Sequence, residues 1–286
     1  ILEYYSPIRN NVCIYPGNMG DIATPKSLTY ATEVIKQRSL ADPLGTRQRL
    51  KDITAGTMTN EDRKGFELWC QDLGFKKGVK YVIVSHRDTG QNPPAGRQPS
   101  HPELDTGEVG FRQLLSLVEE AGFVPVPMGE PKMGEFKKPH LVKYWSTAPK
   151  DRFKGRTKRQ VEYGLIRYLA EEYGVRLLAM RSGNTDAMAF AGMETIFLDL
   201  AAEGAQQEEL DEAGLIVPAH TRSWRRAALL ESILPGVMHQ AFFTHPRPNE
   251  PRDKGKPWKG EFAKDDLEAI RGAISQFFGA AKNEVA

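Results

Sequence analysis

The chain has 286 residues, enough for one large domain or two small ones, and the apolar and charged fractions of an ordinary globular protein. Its 39 Lys and Arg against 37 Asp and Glu give a formal charge of +2, which argues against nucleic acid as a bulk partner. Two cysteines, Cys13 and Cys70, cannot make a disulfide framework or a cysteine-rich metal site, and no run of about 18 apolar residues exists to span a bilayer.

The chain opens at Ile1 with no signal-peptide pattern. A leader already removed is one reading, and a reducing, cytoplasmic setting is the default expectation. Residues 11–15, NVCIY, read as a short strand, and a turn carrying Gly17, Asn18, Gly20 and Asp21 follows. Thr24 and Pro25 then mark the start of a helix over 25–37. Residues 41–75 read as helical and connecting. Phe66, Trp69, Cys70 and Leu73 recur there at helical spacing, and Gly74 and Gly78 close the stretch.

From residue 80 onward, strands and helices alternate. Residues 81–85, YVIVS, form a buried strand that runs directly into His86, Arg87, Asp88, Thr89 and Gly90. Residues 91–105 carry four prolines and no periodicity, so a long loop is expected. A helix over 107–121 turns Phe111, Leu114, Leu115 and Val118 inward. A strand over 123–127 then exits through Met128, Gly129 and Glu130. Residues 141–145 are a candidate edge strand. The basic run 150–159 reads as a solvated turn, and 157–173 as a helix with Val161, Leu165, Tyr168 and Leu169 on one side.

The densest polar cluster lies in 174–200. Residues 175–180 read as a strand buried on both faces, and 187–192 as a short helix stopped by Gly192, with a second strand over 195–200. Between them stand Arg181, Ser182, Gly183, Asn184, Thr185 and Asp186, at the carboxyl end of a parallel strand and at a helix start. In open α/β sheets ligands bind at that edge, and the free N–H groups of a helix start favour an anion such as phosphate. Capping of the helix by Ser182, Asn184, Thr185 or Asp186 is the plainer reading, and it leaves Arg181 unexplained. Beyond it, 201–214 is expected as an acidic surface helix, 223–233 as a helix opened by Ser223, 237–243 as an apolar run, 244–259 as a proline-bearing excursion and 264–278 as an amphipathic helix.

The βαβα alternation predicts an α/β fold with a doubly wound parallel sheet. The stretches YVIVSHRDTG, FVPVPMGE and GVRLLAMRSGNTDAMAFAGMETIFLDL, in that order and separated by helices, resemble the nucleotide-sugar lobe of GT-B glycosyltransferases. The likeness leans toward the fucosyltransferase-like and heptosyltransferase-like branches. It rests on His86-Arg87, on Ser182-Gly183 and on Gly192 with Thr195. Gly17-Asn18-Met19-Gly20-Asp21 is similar to the Gly-Asp loop that opens the acceptor lobe of such enzymes. It covers residues 76–286 reasonably and 1–75 poorly, so it implies a GT-B-like Rossmann lobe over 76–286 and a reduced N-terminal acceptor-side segment over 1–75.

The resemblance implies a glycosyltransferase with a nucleotide-sugar donor and an unidentified acceptor, working without a metal or other cofactor. The chain contains no DxD triplet, no HExxH and no close histidine pair. Arg87 and Arg181 would neutralise the leaving diphosphate. Ser182, Gly183, Asn184 and Asp186 would complete that site, Gly129 would lie against base or ribose, and Gly17, Asn18 and Gly20 would line the first loop. Asp21, His86 and Asp88 are the candidates for general base. Two other readings stand beside this one. One is a transferase or hydrolase acting on N-ribosyl bonds through a carboxylate nucleophile, Asp21 or Asp186. The other is a non-catalytic nucleotide- or sugar-binding module derived from the same fold.

Overall fold

In the computed structural model the described residues are 41–87, 104–129, 136–180, 182–200, 208–210, 216–218, 234, 236–244 and 260–279. Two helices come first, α1 over Pro43–Ala55 and α2 over Asn60–Leu73. Strand β1 is Tyr81–Ser85, followed by α3 at Glu108–Glu120, β2 at Val124–Gly129 and β3 at Leu141–Val142. Helix α4, Lys158–Tyr173, leads into β4 at Arg176–Met180, then α5 at Gly183–Phe190 and β5 at Thr195–Leu200. Short strands β6, Glu208–Leu210, and β7, Ile216–Pro218, precede β8 at Met238–Phe243 and α6 at Lys264–Ala273. Among the described residues no helix is long and apolar enough to cross a membrane.

Six strands make one sheet in the order β3-β2-β1-β4-β5-β8, every pairing parallel. This is a Rossmann-like α/β fold, as the alternation of strand and helix predicts. Helices cover both faces, because side chains alternate across each strand. Tyr81, Ile83, Leu177 and Ala179 join a cluster with α2 and α4 residues such as Phe66, Trp69, Leu165 and Leu169. Val82, Val84, Leu178 and Met180 join the opposite cluster with Phe111 and Leu114 of α3 and Ile270 of α6. A strand sandwiched in this way must be apolar at consecutive positions, and this is why YVIVS and RLLAM read as continuous runs.

The helix ends follow local chemistry. Thr59 with Asp62, and Thr157 with Gln160, form reciprocal capping boxes that fix the starts of α2 and α4. Gly74 and Gly174 stop those helices in the left-handed conformation. Helices α2 and α4 approach closely because Gly164 has no side chain. A Cβ there would stand 2.4 Å from the Cζ of Phe66, which is fully buried.

Several expectations are corrected. The predicted helix over 201–214 is not formed as such, because Glu208–Leu210 pairs antiparallel with Ile216–Pro218. An acidic, helix-compatible composition was outweighed by a strand partner a few residues downstream. The edge strand expected at 141–145 is only Leu141–Val142, after which Tyr144–Ser146 tightens into a 3₁₀ turn. Helix α5 starts at Gly183 rather than 187, because Ser182 acts as its N-cap. The closing helix changes to π geometry over Ile274–Phe278. The elements expected at 11–15, 25–37 and 223–233 lie outside the described residues.

Candidate functional site

The chain order of the sheet locates the crevice. From β1 the chain passes to β2 and β3 on one side, then crosses back to β4 and β5 on the other. The direction reverses between β1 and β4, and in open α/β sheets such a switch point, at the carboxyl edge, is where a ligand crevice is expected. Register Ser85↔Ala179 sets the exits of β1 and β4 side by side. Register Ser85↔Met128 adds the exit of β2. His86, Arg87, Gly129, Ser182, Gly183, Asn184 and Asp186 therefore share one edge of the sheet.

At the β1 exit the N–H of His86 donates to the Met128 carbonyl at 2.8 Å, and the imidazole meets the Phe111 ring edge-on at 5.2 Å. Gly129, the last residue of β2, has φ +107°, and a Cβ there would lie 2.5 Å from the His86 carbonyl oxygen. Only glycine lets the two strand exits approach so closely. Gly129 thus lies against His86, and its own carbonyl accepts from the N–H of Lys143 at 3.1 Å.

Arg87 is held by a pair of residues that sequence reasoning missed. Thr106 donates its N–H to the Arg87 carbonyl at 2.8 Å, and its hydroxyl oxygen accepts from the Arg87 N–H at 3.0 Å. Asp105 places a carboxylate 3.4 Å from the Arg87 Nη1, its side chain 1 % exposed against 16 % for Arg87. That carboxylate comes from the segment entering α3. Asp105-Thr106-Gly107 reads from sequence as a turn before a helix, and nothing local ties it to a strand exit 18 residues earlier.

At the β4 exit the protons can be assigned. Thr185 donates its hydroxyl hydrogen to the Met180 carbonyl at 3.0 Å. The 2.8 Å contact between the Ser182 and Thr185 hydroxyls must then use the Ser182 proton. Ser182 Oγ in turn accepts from the Thr185 N–H at 3.2 Å. The Ser182 side chain is thus committed to the cap, as the plainer sequence reading holds. The amides of Gly183 and Asn184, in the first turn of α5, have no acceptor inside the helix. Asn184 Oδ1 accepts from the Tyr163 hydroxyl at 3.4 Å, and Asp186 adds a buried carboxylate to the same turn. That carboxylate is stabilised by the positive end of the helix. Ser182→Ala should therefore cost about 1 kcal/mol, or a melting point lower by roughly 2–4 °C, in a thermal melt.

Gly17, Asn18, Gly20, Asp21, Asp88 and Arg181 lie outside the described residues. The basic turn at 150–159 is not simply solvated. Arg156 bonds Asp62 through Nε at 2.7 Å and Nη2 at 2.6 Å, and donates to the carbonyls of Ala55 and Thr57 at 2.8 and 2.6 Å. Its guanidinium holds the Asp62 carboxyl far below the ordinary carboxylate range. A hollow of about 670 Å³ opens over the starts of α2 and α4. Its wall sets Arg152, Lys154 and Arg156 against Glu61, Asp62 and Asp151, and both helix starts are already capped, so it favours no sign of charge. Among the described residues no group of three or more His, Cys, Asp and Glu is placed to hold a metal ion.

No family model, no curated protein and no solved structure matches the chain.

Proposed function

We propose that the chain is a metal-independent glycosyltransferase whose nucleotide-sugar donor binds at the carboxyl edge between β1 and β4. One observation carries this reading. The switch point of the sheet brings the Arg87 exit of β1 beside the first turn of α5, where the Gly183 and Asn184 amides lack helical acceptors. A guanidinium from one strand exit and a helix start from the neighbouring one would together make an anion site suited to a diphosphate. In the transfer step the anomeric carbon–oxygen bond to the diphosphate breaks, and negative charge grows on the leaving oxygens. Donors fixed in advance at that point lower the barrier most. Arg181, next after β4, would supply a second guanidinium, and His86 is the described candidate for receiving the acceptor's proton.

The test is a thermal-shift panel of UDP, GDP, ADP and TDP. At about 100 times its Kd, a diphosphate should add about 2.7 kcal/mol, a rise of roughly 5–11 °C. No shift with any of the four would remove the reading, and release of free base in place of a nucleoside diphosphate would point to N-ribosyl chemistry. Activity is expected to survive a chelator unchanged. Loss with EDTA and recovery with Mn²⁺ or Mg²⁺ would contradict the metal-free mechanism.

A further inference from the structure

Resting on the diphosphate reading above, we propose that Asp105 is a positioning residue, fixing the Arg87 guanidinium so that its donors face the crevice between β1 and β4. Two consecutive residues hold Arg87 at both ends. Thr106 clamps its backbone through the two hydrogen bonds already described, and the Thr106 hydroxyl also donates to the Ser85 carbonyl at 3.3 Å. Asp105 then meets the far end of the side chain at Nη1, 3.4 Å away.

The chemistry of both groups favours this role over a surface ion pair. The Asp105 side chain is 1 % exposed, and a carboxylate is kept out of water only when a partner compensates it. Arginine presents its donors as a rigid planar fork, so a carboxylate fixed on one edge sets the direction of the others. A mobile guanidinium would have to be ordered when the diphosphate binds, at a cost in affinity. Asp105 removes that cost in advance. It touches neither nucleotide nor sugar, and its effect passes through Arg87.

Asp105→Asn keeps the shape and removes the charge. It is compared with wild type and Arg87→Ala for binding of UDP, GDP, ADP and TDP and of the matching nucleosides, each variant being checked by thermal melt. Positioning predicts at least tenfold weaker diphosphate binding with nucleoside binding unchanged. Charge arithmetic alone predicts the opposite sign, because a negative charge near an anion site has gone, and general damage would weaken both ligands together. Arg87→Lys keeps the positive charge but loses the fork, and it serves if Asp105→Asn does not fold. Weakened diphosphate binding by Arg87→Lys supports the inference, and wild-type affinity overturns it. Diphosphate binding by Asp105→Asn at or above wild type, with Arg87→Ala still weak, overturns the positioning role and leaves the diphosphate reading intact. If Arg87→Ala binds every diphosphate as wild type does, both fall.

Discussion

If the chain transfers sugar from a nucleotide donor as proposed, Arg87→Ala is expected to slow transfer by a factor on the order of a hundred or more. Removing one donor aimed at developing charge in a water-poor site costs about 3 to 4 kcal/mol in the transition state. Were Arg87 merely half of an exposed ion pair, its loss would matter by roughly 0 to 1 kcal/mol. The structure changes that comparison, because the partner carboxylate of Asp105 is almost wholly buried. Removing the guanidinium takes a compensating cation away from that buried charge, and in buried pairs such a loss costs about 3 to 5 kcal/mol of stability. The variant should therefore melt earlier as well as work more slowly. The ratio of diphosphate to nucleoside affinity separates the two effects, since lost folding lowers both and a lost phosphate contact lowers only the first. An unchanged ratio in folded protein would move the phosphate site away from β1.

Arg156→Ala should be strongly destabilising, at a place well away from the crevice. Arg156 joins the start of α2, through Asp62, to the end of α1, through the carbonyls of Ala55 and Thr57. Both members of the ion pair are largely shielded from water, their side chains 10 % and 14 % exposed. Loss of the arginine leaves the Asp62 carboxylate only its cap bonds to Thr59 and breaks both links to the Ala55 and Thr57 carbonyls, so about 3 to 5 kcal/mol is expected, or a melting point lower by on the order of 10 °C. The pH dependence has a definite sign. The Asp62 pKa is depressed, chiefly by the Arg156 hydrogen bonds, well below the ordinary carboxylate value. Its stabilising contribution is therefore complete above that unfolded value and is lost as pH falls through the depressed one. The gap between wild type and Arg156→Ala should be full near pH 7, begin to narrow below about pH 4 and close only as the depressed pKa is passed. A gap that stays constant into acid would show that Asp62 does not carry the effect.

The two arginines also show what sequence could and could not reveal. Arg87 was legible because it ends a run of four apolar residues and a serine, and a strand buried on both faces must deliver its first polar residues at the sheet's edge. Arg156 was not, because its partners Asp62, Ala55 and Thr57 are about a hundred residues away along the chain and no periodicity links them. A shorter separation, 18 and 19 residues from Arg87, hid Asp105 and Thr106, whose local pattern announces only a turn and a helix.

Composition and patterning by themselves determined the α/β class, the parallel sense of the sheet and the strands at 81–85, 175–180 and 195–200. These follow from nearest-neighbour physics, the period of side chains along a strand or helix and the caps that end it. The strand order, and with it the switch point between β1 and β4, was decided only in the tertiary structure. So were the pairing of Glu208–Leu210 with Ile216–Pro218 and the grip of Asp105 on Arg87. Each depends on which distant groups are brought within about 3 Å of one another, and once a group is buried the cost of leaving it unpaired, not its local propensity, selects the partner.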